Sequence, residues 1–140
     1  MWRSGAPTQP VAIWGDFDAD GQTSTALLLE TLGALGARVT ARVPTRREGH
    51  GLHRKGLKKL IDDGARLVLT CDTGVMAHDA VARANQLGAE VIVTDHHVLD
   101  SLDEVLEISD RIAVMYRGRI VDVVDGRAAN KEAVGLLMAT

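Results

Sequence analysis

The most constraining feature of the chain is a phrase that occurs three times. "GARVTARVP" (residues 36–44), "GARLVLTCD" (64–72) and "GAEVIVTDHH" (88–97) each open on Gly-Ala and a charged residue, then run into a short β-branched stretch. Each follows an amphipathic helical pattern, over 23–35, 52–63 and 76–87. A glycine just past a helix ends it in a left-handed cap, and the β-rich run that follows makes a strand. With "VAIWGDF" (11–17) in front, the order is β-α-β-α-β-α-β. Strands buried on both faces read as continuous apolar runs, as these do, so the sheet is expected to be parallel and covered by helices. Right-handed crossovers then bring every strand's C-terminal end to one edge.

Beyond residue 97 the pattern changes. "DSLDEVLEIS" (100–109) reads as a short helix with a Ser101…Glu104 capping box. "RIAVMYRGRIVDVV" (111–124) reads as two strands joined at Arg117-Gly118, and "NKEAVGLLMA" (130–139) as a closing helix with an asparagine cap. The expected fold class is α/β: a three-layer, Rossmann-like parallel sheet of about five strands, with an antiparallel edge strand from the C-terminal hairpin. Residues 10–140 are expected to form a single domain behind a disordered leader, "MWRSGAPTQ" (1–9).

Composition narrows the function classes. Aromatic residues make up only 3% of the 140, which argues against a base-stacking nucleic-acid surface. The net charge of −3 gives no overall electrostatic footprint for DNA or RNA. A basic cluster, including Arg42, Arg46, Arg47, Arg54, Lys58 and Lys59, reads equally well as a solvated face or a phosphate-binding patch. The single cysteine, Cys71, excludes an internal disulfide, fits a reducing cytoplasm and reads as a small core residue at a strand end. His50, His53 and His78 read as surface residues. No apolar run has the length of a membrane span.

The shared edge carries an unusual set of side chains. The first strand ends in Asp16, Phe17, Asp18, Ala19 and Asp20; the third in Cys71, Asp72, Thr73 and Gly74; the fourth in Asp95, His96 and His97. Any one of these aspartates alone is explained as a helix cap, a turn residue or a strand-end cap. Together, five carboxylates and two imidazoles would repel or stay partly protonated, and divalent cations remove that difficulty. A mixed oxygen and imidazole set suits manganese better than calcium or a structural zinc. Two cations roughly 3.5–4 Å apart would need a bridging carboxylate and could orient water for in-line attack on a phosphoryl group.

At this point the residues match a family. "GDFDADGQTS", "CDTGV" and "VIVTDHH" resemble the first three motifs of the DHH phosphoesterases, in order and at suitable spacing. Within that family, "VAIWGDFDADGQTSTALLLETLGALGARV" and "VPTRREGHGL" most resemble the RecJ-type single-strand exonucleases, over residues 10–98. The resemblance implies Asp16, Asp18, Asp20, Asp72 and His96 as metal ligands, with Asp72 as the bridge. It implies His97 as the contact to the scissile phosphate, Asp95 in support, and Arg46 and Arg47 near the substrate. The implied cofactor is manganese, with magnesium as an alternative, and the implied substrates are single-stranded DNA or small phosphodiesters.

The tail carries a second resemblance. "SLDEVLEISDRIAVMYRGRIVDVVDGRAANKEAVGLLMAT" (101–140) is similar to the C-terminal end of a sugar-importer ABC transporter ATPase. ATP chemistry does not follow, because the chain has no G-x-x-x-x-G-K-[ST] loop, and Asp100 stands where the switch histidine belongs. Two families meeting near residues 97–101 imply a laboratory-built chimera, since natural fusions join whole domains. The expected function is therefore a chimeric domain with an incomplete two-metal DHH site and little or no catalysis. The alternative is an active manganese-dependent phosphoesterase core. Apolar surface left on the ATPase-like helices makes a homodimer plausible.

Overall fold

The computed structural model describes residues 9–96, 105–106 and 109–138. They fall into two compact units, residues 1–97 and residues 98–140.

The first unit runs β1 (Val11–Trp14), α1 (Ala19–Ala34), β2 (Val39–Arg42), α2 (Arg54–Asp62), β3 (Leu67–Thr70), α3 (His78–Gln86) and β4 (Glu90–Ile92). All strands are parallel, in the spatial order β2-β1-β3-β4. The repeated glycines do what the sequence predicts: Gly36, Gly64 and Gly88 follow the three helices at φ of 85°, 109° and 79°.

The strand order fixes the layers. From β1 the chain moves to one side to reach β2, then returns past β1 to β3 and continues to β4. Right-handed crossovers therefore put α1 on one face of the sheet and α2 with α3 on the other. The core between the sheet and α2 and α3 is built from Trp14, Leu57, Ile61, Val68, Ala80 and Ala84. Burial is uneven along the sheet. Ala12, Ile13 and Trp14 on the central β1 are fully buried, whereas Ile92 on the edge strand β4 is half exposed. On α1 only Gly21 and Thr25 are buried, and Leu27, Leu29 and Leu35 are exposed.

The second unit contains β5 (Arg111–Tyr116) and β6 (Arg119–Asp125), followed by α4 (Lys131–Met138). The hairpin turns at Arg117-Gly118, as expected, with φ of 47° and 76°. Positive φ at both positions matches the twist of a tight hairpin. Asn130 Oδ1 accepts the Ala133 N–H at 2.8 Å and so caps α4, also as expected. Ile112, Val114 and Val134 form a small separate core. Val105 and Leu106 are helical, while the Ser101…Glu104 capping box lies outside the described residues.

The expectation of about five parallel strands is corrected. Among the described residues the parallel sheet has four, and β5 pairs with β6, antiparallel, in a sheet of its own. The burial of β5 alternates between exposed and buried positions. That is the signature of a strand covered on one face, whereas the central strand of a helix-covered sheet is buried on both, as β1 is.

Candidate metal centre

In a parallel sheet, ligands bind where adjacent strands send their connections in opposite directions. Here that point lies between β1, whose chain leaves for β2, and β3, whose chain leaves for β4. The aspartates of the first and second motifs leave from these two strands.

Asp16, just past β1, is almost fully buried. One carboxylate oxygen accepts the Phe17 N–H at 2.7 Å, and the other lies 2.5 Å from His50 Nδ1. Asp18 is the N-cap of α1 and accepts the Gly21 N–H at 2.9 Å. That N–H holds the Asp18 carboxyl below the usual carboxylate range; partial burial opposes it, and an interaction with the Asp72 carboxyl adds to it. Asp20 stands exposed in the first turn of α1.

Asp72 follows β3 and is buried, with a left-handed φ of 62°. Its Oδ1 is 2.8 Å from His96 Nε2, which comes from the segment after β4. Asp95 Oδ2 accepts the Val75 N–H at 3.1 Å and so pins the turn that follows Asp72. Thr70 and Thr94 tie the ends of β3 and β4: the Thr94 hydroxyl donates to the Thr70 carbonyl at 2.7 Å.

Three of the expected ligands form a tight group. One ligand atom each from Asp20, Asp72 and His96 lies within 4.8 Å of the other two. Asp16 and Asp18 are outside that group, Asp16 with both oxygens engaged and Asp18 in contact with Asp72. Two carboxylates and an imidazole nitrogen, with a further carboxylate against Asp72, form a donor set that fits a divalent transition metal such as manganese. His97 lies outside the described residues.

His50 is exposed, as its reading as a surface residue expects, yet it also reaches the rim: it contacts Asp16, and its ring lies 4.1 Å from that of Phe17 at a 41° tilt. His53 packs edge-on against the core residue Trp14, at 6.0 Å. Both belong to the segment between β2 and α2. Because β2 neighbours β1, that segment must pass beside Asp16; the strand order was the missing signal. Arg46, from the same segment, sits 5.0 Å from the centre of the Phe17 ring. Cys71 is buried against Thr25, as its reading as a core residue requires.

Comparison with known proteins follows the same residues. The model of the DHH family, N-terminal domain, matches residues 10–118. The single-stranded-DNA-specific exonuclease RecJ of Bacillus subtilis is 41% identical over 90 residues, which cover 64% of this chain and 12% of that protein. A crystal structure of exonuclease RecJ bound to manganese superposes with a TM-score of 0.61 and 38% identity, covering 66% of this chain and 24% of that one. The chain thus spans only a small part of the exonucleases it matches. A ribose import ATP-binding protein, RbsA of Lacticaseibacillus paracasei, is 36% identical over 83 residues, covering 56% of this chain and 16% of that protein. The family match takes in the whole acidic rim and continues into β5, past the point where the sequence changes character, and on that match the chain belongs to the DHH family.

Proposed function

We propose that residues 10–96 carry a divalent-cation site for phosphodiester hydrolysis, with single-stranded DNA or small phosphodiesters as the substrate class. The observation that carries this reading is the convergence of Asp20, Asp72 and His96 within 4.8 Å at the point where the sheet's connections diverge. Asp18, Asp20, Asp72 and His96 would hold manganese, or magnesium, with the Asp16 carboxylate close by. When bound, the cation would supply Lewis-acid polarisation of a phosphoryl oxygen and activation of an attacking water. The chain's own groups set the geometry. Gly21 fixes the Asp18 carboxylate, Asp95 holds the turn after Asp72, and Asp16 fastens the His50 segment to β1. His97 would contact the scissile phosphate.

Turnover is expected to be weak. The sequence of 101–140 offers no clear fourth acidic motif, and its candidate aspartates are engaged within their own unit. Asp122 accepts the Val123 N–H, Asp125 accepts the Arg127 N–H, and Asp110 lies 3.8 Å from Arg127. We read this tail as the ATPase-like part of a hybrid chain; the sequence likeness of 101–140 and the division of units at residue 97 support that reading.

The test is calorimetric titration with manganese, paired with hydrolysis of a single-stranded oligonucleotide and of a small phosphodiester. Binding that Asp72→Ala abolishes, with slow metal-dependent cleavage, is the expected result. Absence of binding, or binding indifferent to Asp72→Ala, overturns the reading.

A further inference from the structure

A cleft of about 600 Å³ opens beside the acidic rim, on the side of Asp16 and Asp95. Its lining combines a few polar side chains, Asp16, His50, Thr73 and Asp95, with a larger apolar surface that includes Leu52, Val75, Met76 and Ala77. Sites for small organic ligands have this size and this division between an apolar wall and a few placed polar groups. Neither a metal nor a bare phosphate needs the apolar part.

His50 is the unusual member of the lining. Its side chain is 65% exposed, yet it is held at two points: Nδ1 against the buried Asp16 carboxylate at 2.5 Å, and the ring against Phe17 at 4.1 Å. An exposed side chain normally keeps its rotamer freedom, and fixing one costs conformational entropy. The segment that carries it is braced as well. Glu48 accepts both the N–H and the hydroxyl of Thr45, at 2.8 and 2.9 Å, and pairs with Arg42. In a chain with so few aromatic residues, Phe17, His50 and the Arg46 guanidinium therefore form a pre-ordered π cluster that adjoins the metal-binding rim.

We propose that this cleft is a nucleobase subsite, in which the base of the nucleotide next to the scissile phosphate stacks on His50 against the apolar wall. The proposal rests on the phosphoesterase reading above and adds to it a contact to the base, where the metal centre touches only phosphate. Stacking of this kind tolerates any base, because every base has a π face.

Two substitutions separate the ring from its tether. His50→Asn keeps a donor near the place of Nδ1 and removes the ring, whereas His50→Phe keeps a ring and removes the bond to Asp16. The measurement is calorimetric binding of deoxyadenosine 5′-monophosphate and of 2-deoxyribose 5-phosphate to the full chain with manganese, next to a titration with manganese alone. The expected result is that the nucleotide binds about tenfold or more tighter than the sugar phosphate in the unmodified protein. His50→Phe should keep most of that ratio and His50→Asn should reduce it towards one, with manganese affinity unchanged in both. A ratio near one in the unmodified protein, or a full ratio in His50→Asn, overturns the nucleobase subsite while leaving the metal site standing. Failure of manganese to bind at all overturns the underlying phosphoesterase reading, and the subsite with it.

Discussion

His96 Nε2 lies 2.8 Å from Asp72 Oδ1, and the two side chains are unequally placed: His96 is 73% exposed and Asp72 only 5%. The contact joins the segments that follow β3 and β4, so it closes one side of the candidate centre. Its two members carry different burdens, one mainly functional and the other also structural.

From the exposed side the effect should be confined to the ligand. His96→Ala is expected to leave the thermal midpoint nearly unchanged, as surface substitutions usually stay within about 0.5 kcal/mol. Manganese affinity should fall by roughly tenfold to a hundredfold or more, the range already seen when groups that merely support ligands are removed. A calorimetric titration beside a thermal melt checks both halves.

Substitution of Asp72 should alter stability as well as binding. Its φ of 62° lies in the left-handed region, which costs a side-chain-bearing residue about 1–2 kcal/mol. Strain of this kind persists at functional sites because the surrounding structure enforces it. Asp72→Gly removes the strain and one of the crowded carboxylates, but adds backbone entropy to the unfolded chain of about 0.5–1 kcal/mol. The variant is expected to be more stable by about 1 kcal/mol in urea denaturation and to lose manganese binding. Destabilisation would mean that the carboxylate is needed for folding itself.

How much of this could be read from the sequence differs by element. The Gly-Ala phrase located β2, β3 and β4, because a left-handed glycine and a β-branched run are local signals. The convergence of Asp20, Asp72 and His96 followed from chain handedness, a general rule about parallel sheets. The partner of β5 was not legible. A short apolar strand carries no information about which strand it joins, and its alternating burial appears only once a neighbour is known. His50 was missed for a related reason: its role depends on β2 lying beside β1, and strand order is a property of packing.

Asp18 has two duties that substitution can separate. Asparagine also caps helices well, so Asp18→Asn should keep α1 while weakening manganese binding by roughly a hundredfold, and Asp18→Ala should lose both. The pH dependence has a defined sign. The Gly21 N–H depresses the folded-state pKa of Asp18, so its contribution is fully present above the ordinary aspartate value of about 3.9. It is lost as pH falls through the lower folded value, where the native carboxylate takes up its proton. Urea denaturation between about pH 5 and pH 2 should show this acid limb in the unmodified protein, and a shallower one in Asp18→Asn.

The close passage of α1 over the strand end makes the strictest demand. A Cβ added at Gly21 would lie 2.5 Å from both the backbone nitrogen and the carbonyl oxygen of Asp16. Backbone atoms cannot swing aside as a side chain does, so the first turn of α1 would have to lift, taking Asp18 and Asp20 with it. Gly21→Ala is therefore expected to destabilise by about 3 kcal/mol, at the upper end of ordinary overpacking, and to weaken manganese binding as well. Gly33, near the end of the same helix, is the control. Its added Cβ would meet only Val39 Cγ2 at 3.8 Å, so Gly33→Ala should stabilise by about 0.5–1 kcal/mol through helix propensity and leave manganese affinity unchanged. Denaturation and calorimetry on the pair distinguish a tight helix approach from a general need for glycine in α1. Equal effects of the two substitutions would show that the approach to Asp16 is not what holds the centre together.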